Sequence, residues 1–303
     1  MSKKIAAVVV TFNRSKWLIE CLEALIDQTR QLDCIYVVDN NSTDDTREQM
    51  IKFCALNSTV IYHRLLVNTG SAGGFAFGMK LAYESGFDWL WLMDDDVEPY
   101  STGLFDLLKF SDRSKCIHGK RTEPDGSVFP WGSKFDADII DALPLYDSSD
   151  FLENDVLEVN VGCFEGMLVH REVVDKIGFP LVDLFITWDD TYFGYCASQV
   201  TKVLYVNVNV LKRKRTMERF NAGIFGEKMF LNPMTNYYHH RNRYLLSQKI
   251  KFVAHKFWFR SAFIYIKSIL KCLILQRSWV DALAVHKGTI EGLKLYLTSK
   301  GYY

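Results

Sequence analysis

The chain has 303 residues, 49% apolar and 14% aromatic, enough for one sizeable core or two modest domains. Its formal charge is zero but unevenly spread: residues 1–240 carry 24 Lys/Arg against 34 Asp/Glu, a net −10, and residues 241–303 carry 12 against 2, a net +10. No nucleic-acid recognition module accompanies the basic residues, and no run of 18 uncharged apolar residues occurs, which excludes a nucleic-acid binder and a convincing membrane span.

Seven scattered cysteines with no Cys-x-x-Cys read as reduced, buried thiols of a cytoplasmic protein. The opening MSKKIAAVVV meets polar Asn13 and Arg14 too soon for a signal peptide. Ile5 to Val10 is a continuous apolar run suited to a central parallel strand. A loop, Thr11 to Arg14, leads to a helix with Leu18, Cys21, Leu22 and Leu25 on one face. Ile35 to Val38 is a second strand ending at Asp39-Asn40-Asn41, and Ser42 with Asp45 makes a capping-box pattern for a helix to about Cys54. Thr59 to Tyr62 is a third strand. Asn68-Thr69-Gly70-Ser71-Ala72-Gly73-Gly74 then opens a helix that Gly86 stops, and Phe87 to Met93 is a fourth strand.

Four strand–helix alternations predict a doubly wound α/β sheet with right-handed crossovers. Ligands of such sheets bind beyond the carboxyl ends of the strands, where Thr11–Arg14, Asp39–Ser42, Asn68–Gly74 and Asp94–Asp96 fall. The glycine segment is neither GxGxxG nor a P-loop, which speaks against a dinucleotide enzyme or an ATPase. Its glycines either bring backbone N–H groups to a ligand or let helix and sheet pack closely. Asp94, Asp95 and Asp96 repel one another, and a bound divalent cation would offset that; the alternative is a solvated acidic turn. Strand alternation would send Asp94 and Asp96 to one side and Asp95 to the other, and Pro99 argues against further ladder pairing.

Ser101 to Phe110 reads as a short helix, and the acidic, irregular stretch 132–157 as a loop over a cleft. Val159 to Val169 reads as strands interrupted by Gly162 and Gly166, followed by a helix from Arg171 to Ile177. The second acidic centre is Thr187-Trp188-Asp189-Asp190. An indole beside two carboxylates suits a stacked sugar with a carboxylate near a hydroxyl; helix N-capping accounts for one aspartate, not both. Lys202 to Val210 is a strand, and Lys212 to Arg215 is a basic cluster able to neutralise a diphosphate or approach lipid headgroups. From Met234 the pattern is helical, aromatic and basic, suited to an anionic leaflet, to covering the α/β domain or to a homo-oligomer contact. Gly288 and Gly292 weaken the middle of the last helix.

Together these motifs resemble inverting, GT-A-fold glycosyltransferases of family 2, and within them the bacterial galactofuranosyl- and rhamnosyltransferases of cell-surface polysaccharide (O-antigen, capsule) synthesis. The matching pieces are VVVTFNR at 8–14, VVDNNSTDDT at 37–46, NTGSAGGFAFGM at 68–79, LMDDDVEP at 92–99, FEGMLVHREVVDKIGFP at 164–180, FITWDD at 185–190 and YYHHRNR at 237–243. The resemblance implies a GT-A catalytic domain over 1–232, with a nucleotide-sugar half to about 98 and an acceptor half beyond, and a helical region over 233–303. It implies that Thr11, Asn13 and Arg14 hold the diphosphate, Asp39 takes the uracil or thymine edge, and Asn68, Gly73, Gly74 and Asp95 line the donor pocket. Asp94 and Asp96 would bind Mg²⁺ or Mn²⁺. Asp190 would be the general base, Asp189 would orient an acceptor hydroxyl, and Trp188 would contact a sugar.

Two departures stand out. The metal-binding histidine that the family often carries has no counterpart in VNVNVLKRKRT, 206–216, so either the aspartates, diphosphate and water hold the metal or His239 or His240 swings in, and the basic cluster could share the cation's work. Glu165 stands where a small residue is common, and is expected to narrow the acceptor side. The implied donor is UDP-galactofuranose, with dTDP-rhamnose as the rival. The implied acceptor is a glycan on a polyprenyl diphosphate, met by a peripheral enzyme at the cytoplasmic face of the membrane. A reading of another class is a catalytically silent scaffold.

Overall fold

The structure is a computed structural model that describes residues 3–129, 133–144, 155–216, 219–221, 227–229 and 231–301. Of the expected 132–157 loop, residues 145–154 lie outside the described residues, whereas 133–144 are described and form two short strands, Ser133–Asp136 and Asp141–Pro144, and a third, Val156–Val159, begins at its end. The chain divides into two compact units: Met1–Lys134, Pro144–Phe185 and Asp189–Thr216 form the first, and Phe135–Leu143, Ile186–Trp188 and Met217–Tyr303 the second.

The first unit is built on a nine-stranded sheet. β1 (Ile5–Thr11), β2 (Cys34–Asp39), β3 (Val60–Arg64) and β4 (Trp89–Asp94) lie parallel in the order β3-β2-β1-β4. Every residue of β1 and β2 is buried, as their unbroken apolar sequence requires. Helices α1 (Ser15–Ile26), α2 (Thr46–Leu56) and α3 (Gly70–Glu84) connect these strands. The register pairs Thr11 with Asp39 and Val10 with Asp94, so the carboxyl ends of three strands finish level on one edge. The expected α/β class and mostly parallel sheet are found.

Beyond β4 the sheet turns mixed. The chain makes β5 (Val97–Pro99), α4 (Gly103–Leu108), β6 (Cys116–Thr122), β7 (Ser133–Asp136), β8 (Asp141–Pro144), β9 (Val156–Val159), β10 (Met167–His170), α5 (Arg171–Ile177), α6 (Asp189–Ser198) and β11 (Val203–Arg213). β10 lies antiparallel between β4 and β6, β11 runs parallel to β6, and β5 and β9 pair antiparallel with β11. Pro99 therefore does take part in a ladder, opposite Leu211. It is tolerated because β5 is an edge strand, where a missing N–H costs nothing. Only Asp95 and Asp96 separate β4 from β5, and β5 pairs with the end of β11 rather than with β4.

Local detail corrects two further expectations. Ser42 does not cap α2: its hydroxyl accepts from the Asn13 amide and its own amide donates to Asp39. Asp44 meets the Thr46 amide instead. Gly73 and Gly74 are buried packing positions. A Cβ on Gly73 would lie 2.3 Å from the Thr69 hydroxyl, and one on Gly74 2.6 Å from Val10, so α3 is seated on the sheet at glycine distance.

In the second unit, α7 (Pro233–Leu246) packs on α9 (Trp279–Ser299), and α8 (Ala254–Leu270) ends in a π-helical turn at Lys271–Leu275. Gly288 and Gly292 do not break α9. A Cβ on Gly288 would stand 2.1 Å from the Tyr237 carbonyl oxygen and one on Gly292 2.8 Å from that of Arg241, so the glycines permit the close α7–α9 crossing. Among the described residues no helix is long and apolar enough to cross a membrane.

Candidate active site

The acidic edge of the first unit is organised by arginines. β4 ends at Asp94, and the next two aspartates form the turn. Asp95 is 1% exposed, accepts from Thr11 Oγ1 at 2.6 Å and from Arg14 Nη1 at 2.8 Å. Arg14 also reaches Asp96 Oδ2 at 3.1 Å, and Arg215 Nη2 meets the same oxygen at 2.8 Å. Thr11 and Asp95, expected to meet the donor, are instead spent on fixing Arg14. Ligand oxygens of Asp94, Asp96 and Glu165, the last from just before β10, lie within 4.8 Å of one another; because Arg14 Nη1 bridges Asp95 and Asp96, the two do not face opposite sides as strand alternation would have it.

Glu165 is placed by the sheet. The Gly166 amide donates to the Leu92 carbonyl, and Met167 stands opposite Leu92, so β10 delivers Glu165 beside the end of β4. Its carboxylate is paired with Arg121 and lies 3.5 Å from Arg213 Nε. Arg121 is 5% exposed, and both guanidiniums pack on Phe129, at 4.7 and 4.4 Å from the ring centre. Glu165 thus belongs to the acidic cluster. Burial, then the charges of Glu165, Asp96 and Asp95, push the Asp94 carboxyl well up. Three hard carboxylate oxygen donors with that mutual repulsion fit Mg²⁺ or Mn²⁺.

Asp189 and Asp190 begin α6. Asp189 accepts from Ser71 Oγ at 2.8 Å and is pushed up to about 7, by burial and then by Asp190. Asp190 accepts from the Thr191 amide at 2.6 Å; burial raises its pKa, while Arg121 pulls it down and Glu165 pushes it up. The Arg121–Glu165 pair is therefore felt by both acidic centres. Two glycines set this geometry. A Cβ on Gly194 would lie 1.8 Å from the Gly162 amide nitrogen, and one on Gly162 2.5 Å from the Asp190 carbonyl oxygen. Gly194→Ala is expected to drive α6 off the 161–162 backbone, costing about 1–3 kcal/mol and displacing Asp190, which thermal unfolding and a turnover assay would register together.

Asp189 also predicts a pH effect on stability. An unfolded aspartate gives up its proton near 3.8, the folded one near 7. The folded chain holds the extra proton between those values, so this stabilising contribution is complete below the lower one and is lost as pH rises through the upper. Asp189→Asn keeps an acceptor for Ser71 and removes the charge. The variant should therefore melt above the wild type at about pH 8, by on the order of 1–3 kcal/mol, with the gap closing towards about pH 4.

Other expected donor residues are committed elsewhere. Asp39 is fully buried, accepting from the Ser42 amide at 2.7 Å and the Tyr62 hydroxyl at 2.6 Å. Asn13, with φ 54°, and Asn68 accept from the Thr43 and Gly70 amides and shape the loops that flank the carboxyl edge.

Trp188 belongs to the second unit, where it is 6% exposed, donates from Nε1 to the His239 carbonyl at 3.1 Å and stacks on the His239 ring at 5.1 Å. It is a packed ring rather than an open sugar platform. Thr187 and Trp188 hold φ of 66° and 68°, left-handed values that side chains disfavour. Asn242 Nδ2 secures this backbone through the carbonyls of Ile186 and Thr187 at 3.0 and 3.1 Å. His239 is pushed down to about 4 by burial, and His240 is buried in the same unit. Neither is among the residues gathered with Asp94 and Asp96.

A family model described as "Glycosyl transferase family 2" matches residues 6–178. A galactofuranosyltransferase GlfT1 of Mycolicibacterium smegmatis is 33% identical over 200 residues, 61% of this chain and 62% of that one. A galactofuranosyltransferase GlfT1 of Mycobacterium tuberculosis is 40% identical over 97 residues, 32% of this chain and 31% of its own. The matches cover less than two thirds of the length of either relative. Among solved structures, S. aureus TarS 1-349 in complex with UDP-GlcNAc superposes with TM-score 0.58 at 17% identity, covering 99% of this chain and 93% of that one. GalNAc-T7 with UDP, GalNAc and Mn²⁺ gives 0.56 at 15% identity, covering 70% and 44%. At those identities the likeness is one of fold.

Proposed function

Because the chain belongs to glycosyl transferase family 2, we propose that it transfers galactofuranose from UDP-galactofuranose to a hydroxyl of a glycan acceptor in cell-surface polysaccharide synthesis. The observation that carries this reading is the gathering of Asp94, Asp96 and Glu165 in one cluster whose Arg121–Glu165 pair also acts on Asp190. The sugar is suggested by the galactofuranosyltransferase relatives. The acceptor we assign is a glycan carried on a polyprenyl diphosphate, with the enzyme working at the cytoplasmic face of the membrane.

The acceptor oxygen attacks the anomeric carbon while the bond from that carbon to the diphosphate oxygen breaks. UDP leaves with that electron pair, and the hydroxyl proton goes to Asp190. Its burial raises the proton affinity of the carboxylate towards the range useful for a base. Asp189, held by Ser71, orients the hydroxyl. One displacement inverts the anomeric configuration. Arg14 and Arg215, paired with Asp96, would add positive charge beside the diphosphate. Asp94, Asp96 and Glu165 would hold Mg²⁺ or Mn²⁺, which supplies positive charge to the departing diphosphate. Glu165 would take the place of the missing histidine among the residues that hold the cation, and the two arginines would leave part of the activity independent of it.

A donor screen tests this. UDP-galactofuranose, dTDP-rhamnose and UDP-hexopyranoses are each supplied with synthetic lipid-linked acceptors, with and without Mn²⁺ or Mg²⁺. The reading predicts acceptor-dependent UDP release from UDP-galactofuranose alone, reduced but not abolished by chelation. Turnover of dTDP-rhamnose instead would reassign the donor, and absence of both turnover and nucleotide binding would favour the scaffold.

A further inference from the structure

α8 carries an outward apolar stripe. Phe259, Phe263, Ile266, Leu270 and Ile274 are all exposed, at steps of four, three, four and four residues that keep them on one helical face. Phe259 is 77% exposed and Ile274 64%. Trp279, at the start of α9, is 78% exposed. A run of large apolar side chains turned to solvent marks a surface that something covers. The charges around it say what. Lys249, Lys251, Lys267, Arg277 and Lys287 are exposed in the same unit, while Lys256 and Arg260 of α8 are paired with Asp138 and Asp141. Residues 241–303 hold only two acidic residues, and one of them, Asp281, is buried on Asn236.

We propose that the α8 stripe is a membrane-docking surface that lies on an anionic lipid bilayer, its aromatic and aliphatic side chains entering the acyl boundary and the flanking lysines and arginines meeting the headgroups. This deepens the membrane-face reading above but stands on this unit alone. A second copy of the chain is the poorer occupant, because a twofold contact through this face would set basic residues against basic residues. No described helix is long and apolar enough to cross a bilayer, which fits a surface that lies on one.

The experiment is flotation of the full chain with phosphatidylcholine vesicles, with and without phosphatidylglycerol, in the absence of any donor or acceptor. Its outcome is thereby independent of whether the assigned sugar transfer is right. Wild-type protein should float with the anionic vesicles and far less with the neutral ones. Phe259→Glu with Phe263→Glu should lower binding more than about tenfold. Lys267→Gln and Arg277→Gln should each lower it about fivefold and, being surface changes, keep the test valid should the first variant misfold. Leu66→Glu, an exposed apolar site in the other unit, should leave binding unchanged. No flotation of the wild type at low salt, or equal flotation of the stripe variants, would overturn the proposal. So would light scattering that shows a dimer which the double variant splits, without vesicle binding.

Discussion

Replacing Asp190 by Asn should lower kcat about 10²–10⁴-fold while leaving UDP affinity within a factor of about two. The amide cannot take the acceptor's proton, so the loss falls on the chemical step. It retains an oxygen that can accept from the Thr191 amide, so the start of α6 should be preserved. Asp190 carries no hydrogen bond to the arginines that grip Asp95 and Asp96, so the nucleotide end should not sense the change. Isothermal titration with UDP and a single-turnover assay separate the two quantities. Equal losses in binding and turnover would assign Asp190 to substrate holding instead.

The second large effect is expected at Glu165. Arg121 is buried, and Glu165 is its hydrogen-bonded carboxylate. Glu165→Ala leaves that guanidinium without its carboxylate, a change that costs roughly 3–5 kcal/mol in buried pairs. Relief of repulsion on Asp94 returns part of this. The melting temperature should still fall by about 5–10 °C. Glu165→Gln keeps a hydrogen-bond acceptor for Arg121 and should lose less stability. It should still weaken Mn²⁺ binding, because the cluster drops from three carboxylates to two. A Glu165→Gln protein with unaltered Mn²⁺ affinity would remove Glu165 from the metal set.

The carboxyl edge was legible because each of its parts is local. An unbroken apolar run is a buried strand, and the polar residues that end it must lie at the sheet edge; Thr11, Asp39 and Asp94 are level for that reason. Asp94 and Asp96 come from the end of β4 and the tight turn after it, so their meeting is local. Glu165 was not legible as a neighbour of Asp94 and Asp96, because its position is set by antiparallel pairing of β10 with β4, a contact across more than seventy residues that no local pattern records. Two clues were nonetheless present: an acid where the family carries a small residue, and a missing histidine. Trp188 was misread because a tryptophan beside carboxylates looks like a sugar platform in sequence, whereas His239 fills its ring face and takes its N–H. Gly162 and Gly194 were readable as interruptions but not as partners, since only the folded backbone brings them together.

The most direct test of the central claim is the anomeric configuration of the transferred sugar, read by NMR on product made from UDP-galactofuranose and a synthetic acceptor. A single displacement with Asp190 as base predicts a configuration opposite to that of the donor, formed by wild-type protein and lost with Asp190→Asn. A product that retains the donor's configuration would contradict the account, because it would require a covalent or ion-pair intermediate for which Asp189 and Asp190 have been given no role.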